Sequence, residues 1–363
     1  MSADNRKVAF ITGITGQDGS YLAEFLLAKG YIVHGLVRRN SDFTSRRIDP
    51  ILFAENFFTH YGDVIDSTSL YGLLTRIQPD EVYNLAAQSH VGVSFATADY
   101  SAQVNSLGNL RLLSAIRELG LKSRFYQAST SEIFGGLPGT APQSETTPFS
   151  PRSPYSAAKL FAYWTTVQFR EAYGIHASNG LLFNHESPRR GKNFVTKKIS
   201  QAVARIARGE QEVIRLGNLS AERDWGYAPE YVEAMWMMMQ QPHPGDYVIG
   251  TGASYTVRQF VEFCFAVIGV TIAWSGSGAD EIGTDARSGA IRVKVDPYYF
   301  RPLETEQLRA DPTKAARAFG WTAKVRAPEL ARLMVRYDLV HEDYGYPDHV
   351  EDADVQSRLR VKR

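Results

Sequence analysis

Apolar positions along the chain fall in short unbroken runs and in stripes of helical period, and the two alternate. Val8-Ala9-Phe10-Ile11-Thr12 is an unbroken run, the pattern of a strand buried on both faces. Gly13 to Gly19 separates it from a helical stripe of Tyr21, Leu22, Phe25 and Leu26 that stops at Gly30, and Ile32–Val37 is the next run. Strand, glycine turn, helix and strand predict a right-handed βαβ unit. The rhythm continues with strands over 57–64, 81–85, 124–128 and 177–184 and helices over 67–77, 100–119 and from Tyr155 past Phe169. The 100–119 segment reads as one helix, with Val104, Leu107, Leu110, Leu113 and Ile116 as its stripe. These elements predict an α/β fold, a Rossmann-type doubly wound parallel sheet over residues 1–192. From 193 the rhythm loosens. Helices over 196–207, 229–240 and 256–268 and a strand near 213–217 predict a smaller α/β lobe for substrate over 193–340, with segments returning to the main sheet. Residues 341–363 are polar and read as a mobile tail or an oligomer arm.

Composition narrows the function classes. The 363 residues are 44% hydrophobic and 22% charged, enough for a large core, and 40 basic against 39 acidic residues give no global attraction to nucleic acid or membrane. The one cysteine, Cys264, sits in an apolar run and reads as a buried structural thiol; no disulfide or cysteine metal site is expected. Residues 1–7 lack the apolar core of a signal peptide, and no stretch reaches the roughly 20 apolar residues a membrane span needs. The expectation is a soluble, cytoplasmic protein.

Three stretches carry chemistry. Gly13, Gly16 and Gly19 follow the first strand and open the first helix, where missing side chains let backbone approach a pyrophosphate. The second strand ends in Arg38-Arg39-Asn40-Ser41, where an NAD site usually has a carboxylate, and guanidinium groups there suit the 2′-phosphate of NADP. Arg46 and Arg47 are equally good candidates for a merely solvated basic loop. The third stretch is Tyr126–Lys159. Thr130 and Glu132 stand just past a strand, and Tyr155 and Lys159 are one turn apart at a helix start. A tyrosine near pKa ~10 needs a nearby cation to act as a base at neutral pH.

With these motifs the chain resembles the extended short-chain dehydrogenase/reductases, in their nucleotide-sugar branch, and more narrowly the GDP-mannose 4,6-dehydratase family. The likeness rests on Ile11 to Leu22, Gln127 to Glu132, Pro151 to Tyr155, Phe183 to Gly191 and Arg223 to Gly226, and spans about residues 7 to 340. It implies oxidation at sugar C4, loss of water across C5–C6 and return of the hydride to C6, with NADP bound and recycled. Tyr155 would be the C4 base, Thr130 would polarise the C4 oxygen, and Lys159 would orient the cofactor ribose and lower the tyrosine pKa. Glu132 would take the C5 proton. The Thr130-Ser131-Glu132 pattern differs from the Thr-Asp-Glu usual in the similar dTDP-glucose dehydratases.

By the same resemblance, cofactor contacts fall on Gly13, Thr15, Gly16, Gln17, Asp18 and Gly19, on Arg38, Asn40, Ser41, Asp63 and Val64, and on Leu85, Ala86, Gln88, Ser89, Tyr100, Lys159, His185 and Arg190. The GDP-sugar would meet Ser89, Glu132, Asn184, Lys198, Arg223, Arg301 and Glu304. The loop from Arg38 to Arg47 implies a homotetramer or dimer. The Gly- and Pro-rich stretch between Glu132 and Tyr155 is expected to wall the sugar. Residues 274–292 depart from the family pattern where the resemblance puts the hexose, which admits a GDP-heptose or modified mannose. Rival readings are a GDP-4-keto-sugar reductase or epimerase, which would share Tyr155 and Lys159 without needing Glu132, and a non-catalytic NADP-binding regulator.

Overall fold

The computed structural model describes residues 6–40, 46–301 and 303–360. Strands β1 (Val8–Thr12), β2 (Ile32–Val37), β3 (Phe57–Tyr61), β4 (Glu81–Asn84), β5 (Arg124–Ala128) and β6 (Ala177–Leu182) join the strand Asp246–Ile249 in one seven-stranded sheet. Its order, from the Asp246–Ile249 edge, is β6-β5-β4-β1-β2-β3, and every pairing is parallel. The fold is a Rossmann-type doubly wound sheet. Its order reverses between β1 and β4, and ligands of such sheets bind outside the carboxyl ends of the strands at that switch.

Strand β1 shows why the apolar runs are unbroken. Ala9 and Ile11 enter the core under helix α1 (Gln17–Ala28), while Phe10 enters the core under helix α2 (Ser67–Ile77) on the other face. Below the switch point, buried side chains tie three strands together. Thr12 Oγ1 donates to Asn84 Oδ1 at 2.8 Å, and Asn84 Nδ2 donates to Gln127 Oε1 at 2.8 Å. Thr12 Oγ1 also accepts from the amides of Leu85 and Ala86. Each polar group here has a partner, so the strand ends are held in fixed register.

The stripe over 98–118 is one continuous helical run, but Gln103–Leu107 is wound as π-helix between α-helical Ala98–Ala102 and Gly108–Glu118. Asn105, inside the wide turn, exchanges bonds with the Gln88 main chain at 2.9 and 3.0 Å. A second core lies beyond the sheet, among helices Val195–Arg208, Val257–Val267 and Ala327–Val340.

Two expectations are corrected. The stretch between Glu132 and Tyr155 does not wall the cleft: Gln143 bonds Arg309 and Gln307, Glu145 accepts from the Val248 amide, and the loop lies against the far edge of the sheet. The tail is not loose over 342–360. Val350 and Val355 are buried in the second core, and Asp352–Arg360 is a helix. A charged segment could not signal this, because a few contacts anchor it.

Candidate active site

A cleft of about 1070 Å³ opens at the carboxyl ends of β1, β4 and β5. It exceeds the roughly 300–1,000 Å³ usual for one small ligand, room enough for a dinucleotide and a second nucleotide together.

The dinucleotide side is a main-chain construction. Gly13 adopts φ +70, and a Cβ there would come within 2.8 Å of the Ala86 nitrogen. A Cβ on Gly19 would lie 2.3 Å from the Gly13 carbonyl oxygen. Helix α1 starts at Gly16 with no side-chain cap, whereas α2 has Asp66 capping the amides of Thr68 and Ser69. The free amides and positive dipole end of α1 therefore face the cleft, as an anion site requires. Asp18 in that first turn does not oppose this, because His185 Nε2 stands 2.8 Å from its carboxylate. Burial alone would raise the Asp18 pKa, but His185 holds it below its usual range, and Asp18 in turn raises His185 against the pull of burial. At the end of β2, Arg38 lines the cleft and bonds the Tyr100 hydroxyl.

The catalytic candidates follow. A 3₁₀ turn, Ser131–Phe134, begins directly after Thr130, whose hydroxyl caps the Glu132 amide at 3.2 Å. Helix Pro154–Tyr173 starts with a capping box of Ser153 and Ser156, with Pro154 in its first turn. Ser94 Oγ accepts from the Tyr155 amide, so Tyr155 is held from both sides. Lys159 is 2% exposed and donates to the Ala128 carbonyl at 2.9 Å. Burial pushes the Tyr155 phenol up to about 12, with the Thr130 hydrogen bond pulling the other way, and burial brings Lys159 down to about 8. Lys159 Nζ lies 6.0 Å from the Tyr155 ring centre. The expected lowering of the tyrosine pKa by Lys159 is not seen: burial raises it, and the groups that act against burial are Thr130 and Arg190.

Glu132 is 7% exposed and faces the opposite wall, where Thr305 Oγ1 donates to it at 3.2 Å and Arg301 Nη1 at 3.4 Å. Arg223 donates to the carbonyls of Glu222 and Thr305 and stands 3.6 Å from Glu304. Lys198 lies 3.2 Å from the Tyr299 ring centre, and burial lowers its pKa to about 8. Among the described residues no cluster could hold a metal ion.

The cleft brings together Thr130, Glu132, Tyr155 and Lys159, and with them Thr15, Gln17, Asn40, Asp63, Val64, Leu85, Ala86, Ser89, Asn184, His185 and Arg190. Gln88 does not line it, because its side chain bonds the His90 carbonyl and Ser101. Ser41 lies outside the described residues. Residues 274–292 line none of it; they form a hairpin, Ile272–Ser275 with Ile282–Asp285, on the second core.

The sequence pattern of GDP-mannose 4,6 dehydratase matches residues 10–334. The chain is 57% identical over 342 residues to GDP-mannose 4,6-dehydratase of Sinorhizobium fredii, covering 92% of this chain and 97% of that protein. It is 54% identical to the human GDP-mannose 4,6 dehydratase, covering 92% of each. The chain belongs to the GDP-mannose 4,6-dehydratase family. Solved structures of similar fold include dTDP-glucose 4,6-dehydratase of Bacillus anthracis with NAD (TM-score 0.77, 18% identity, 93% of this chain and 98% of that one). RMD of Pseudomonas aeruginosa with NADPH is another (TM-score 0.72, 20% identity, 92% and 100%).

Within this GDP-mannose 4,6-dehydratase fold, the sequence pattern did not reveal several residues in or against the cleft. Arg47, grouped with Arg46 as solvated, is partly buried and donates to the carbonyls of Arg189 and Thr15. Glu186 pairs with Arg190 at 2.9 Å across the turn after the strand Asn184–Glu186, where no helical spacing announces the pair. Thr305 carried no signal, since 173 residues separate it from Glu132.

Proposed function

We propose that this chain is an NADP-dependent lyase that converts GDP-mannose to GDP-4-keto-6-deoxymannose, and that it works as a cytoplasmic homotetramer or dimer. The observation that carries the proposal is the buried Glu132 carboxylate in the same cleft as Tyr155 and Thr130. A simple alcohol oxidation needs only the hydroxyl and the tyrosine. An added carboxylate supplies the second proton transfer that elimination of water requires.

The residues fit a dinucleotide: Gly13 and Gly19 leave no room for side chains, Gly16 is tight against the Gly13 carbonyl, and the α1 amides face the cleft uncapped. Arg38, with no carboxylate at the end of β2, favours the 2′-phosphate of NADP. When bound, NADP accepts the hydride from sugar C4 and returns it to C6, so the net redox change is zero. Tyr155 takes the proton of the C4 hydroxyl, and the Thr130 hydroxyl polarises the resulting ketone. That ketone acidifies the C5 proton, which Glu132 removes. The C6 hydroxyl departs as water, carrying the proton Glu132 collected, and the return of hydride to C6 is matched by a proton to C5 that offsets the one Tyr155 took from the C4 hydroxyl. Lys159 orients the ribose from the Ala128 carbonyl side. On the opposite wall Lys198, Arg223 and Arg301 provide cations for the diphosphate, and Arg301 can turn to it from Glu132.

Incubation of GDP-mannose with a trace of NADP⁺, followed by mass spectrometry, tests the proposal. The expected product is lighter by one water and accumulates far beyond the cofactor added. Turnover that stops after one equivalent of cofactor would mean oxidation without water loss, and that result or no product would sink the proposal. GDP-heptose in a parallel reaction identifies the sugar.

A further inference from the structure

The C-terminal segment does more than cover the second core. After helix Ala327–Val340 the chain runs back across the outside of the dinucleotide cradle and touches it at separate points. Tyr344 donates its hydroxyl to the Arg190 carbonyl at 2.9 Å, and the Arg47 guanidinium lies 4.0 Å from the centre of the Tyr344 ring. Arg47 in turn donates to the carbonyls of Arg189 at 2.8 Å and of Thr15, within the glycine turn, at 3.3 Å. One guanidinium therefore joins the glycine turn, the Arg189–Arg190 turn and the C-terminal segment. Asp343 adds charge beside it, pairing with Arg46 and lying 3.7 Å from Lys192. Gly345 makes the approach feasible: its φ is +97, and a Cβ there would come within 3.0 Å of the Arg46 carbonyl. Further along, Asp348 accepts from Tyr21 of α1 and from Tyr227, both at 2.6 Å.

We infer that residues 343–348 are a strap that positions the NADP cradle from outside, with Tyr344 as its positioning residue. This rests on the NADP reading above. The physical argument is desolvation. Two main-chain carbonyls hold Arg47, and water would compete for it on its open side. The Tyr344 ring covers that side and adds cation–π attraction, which is stronger where water is excluded. With the ring in place Arg47 keeps Thr15 and Arg189 at a fixed separation, and Arg190, whose carbonyl Tyr344 holds, stays beside Glu186 in the cleft. Without it the turn that receives the diphosphate is free to splay. Tyr344 does not line the cleft, so it acts on the cofactor only through Arg47 and Arg190.

Deleting the strap would also strip Val350 and Val355 from the core, so point variants carry the test. NADPH is titrated by fluorescence into the full-length chain without any sugar, and the melting temperature of each variant is recorded without nucleotide. Tyr344→Phe keeps the ring over Arg47 and is expected to weaken NADPH about fivefold; Tyr344→Ala loses ring and hydroxyl and is expected to weaken it more than about tenfold. The graded loss, with partial rescue by phenylalanine, supports the strap. Unchanged NADPH affinity in Tyr344→Ala overturns it, whether or not the melting temperature falls. Failure of the wild-type chain to bind NADPH is a different result, which removes the dinucleotide reading and the strap together.

Discussion

The two walls of the cleft are built by different means. On the sheet side, position comes from the main chain and from neutral side-chain hydrogen bonds: a glycine turn in which Gly13 and Gly19 leave no space for a Cβ, a helix begun by a capping box, and the bonds among Thr12, Asn84 and Gln127. On the opposite side, position comes from charged side chains that hold one another, Arg223 with Glu304 and Arg301 with Glu132. A main-chain wall presents one geometry, which suits a cofactor that stays. An ion-paired wall can exchange partners, which suits a charged substrate that enters and leaves. Glu132 stands at the seam, fixed by the Thr130 cap on one side and met by Arg301 and Thr305 on the other.

The sharpest break is at that seam. Glu132→Gln keeps the side chain's shape and removes its basicity, and loss of a general base typically costs about 10²–10⁴ in rate. Oxidation at C4 should persist, seen as NADPH absorbance on mixing with GDP-mannose, while water loss falls by that factor. Full-rate dehydration by the variant would remove Glu132 from the proposed role.

Next in size is a change to the main-chain wall. Gly19→Ala places a methyl 2.3 Å from the Gly13 oxygen and 2.7 Å from the Ile14 Cα, both backbone atoms that cannot rotate away. Forced overpacking costs about 1–3 kcal/mol, or roughly five- to 150-fold in affinity if the turn opens to relieve it. Calorimetric titration with NADP⁺ should show that loss. Unaltered binding would mean that the turn is not the cradle.

The ion-paired wall should respond more mildly. Arg301→Ala is expected to raise KM for the GDP-sugar about tenfold with a smaller change in kcat, the pattern of lost ground-state binding by a charge-assisted contact. A fall in kcat alone would put Arg301 in service of Glu132 rather than of the diphosphate.

The same contrast explains what was legible in the sequence. The sheet side is local: strand, glycine turn and helix follow one another within residues 8–28, and Thr130 to Glu132 and Tyr155 to Lys159 are each within one turn. Residue type and spacing carry that information. The other wall and the strap join distant segments, Glu132 with Thr305 and Tyr21 with Asp348, and no periodicity encodes such a meeting. Arg47 shows the limit: in sequence it is one of several arginines in a polar stretch, and only the fold buries it against the glycine turn. The π-wound segment was hidden for a related reason. Its apolar stripe is that of an ordinary helix, and the extra residue in the turn is held by Asn105 and Gln88 across a gap in sequence.

Lys159 gives the smallest effect and tests whether the sheet side is as dry as its geometry says. Burial lowers this lysine from its ordinary 10.5 to about 8. Between about pH 8 and pH 10 the unfolded chain holds the proton and the folded chain has released it, so stability rises with pH across that window. Above about pH 10 Tyr155 acts with the opposite sign, because its folded pKa is raised to about 12: the folded chain then keeps a proton the unfolded chain has lost. Lys159→Met removes only the first contribution. Below pH 8 the variant is expected to be the more stable of the two by about 1 kcal/mol, since it no longer buries a cation, and the wild type should close that gap as pH rises to 10. Paired urea melts over that range measure it. A gap that stays constant with pH would mean that water reaches the lysine, and that the main-chain wall is open beneath Tyr155.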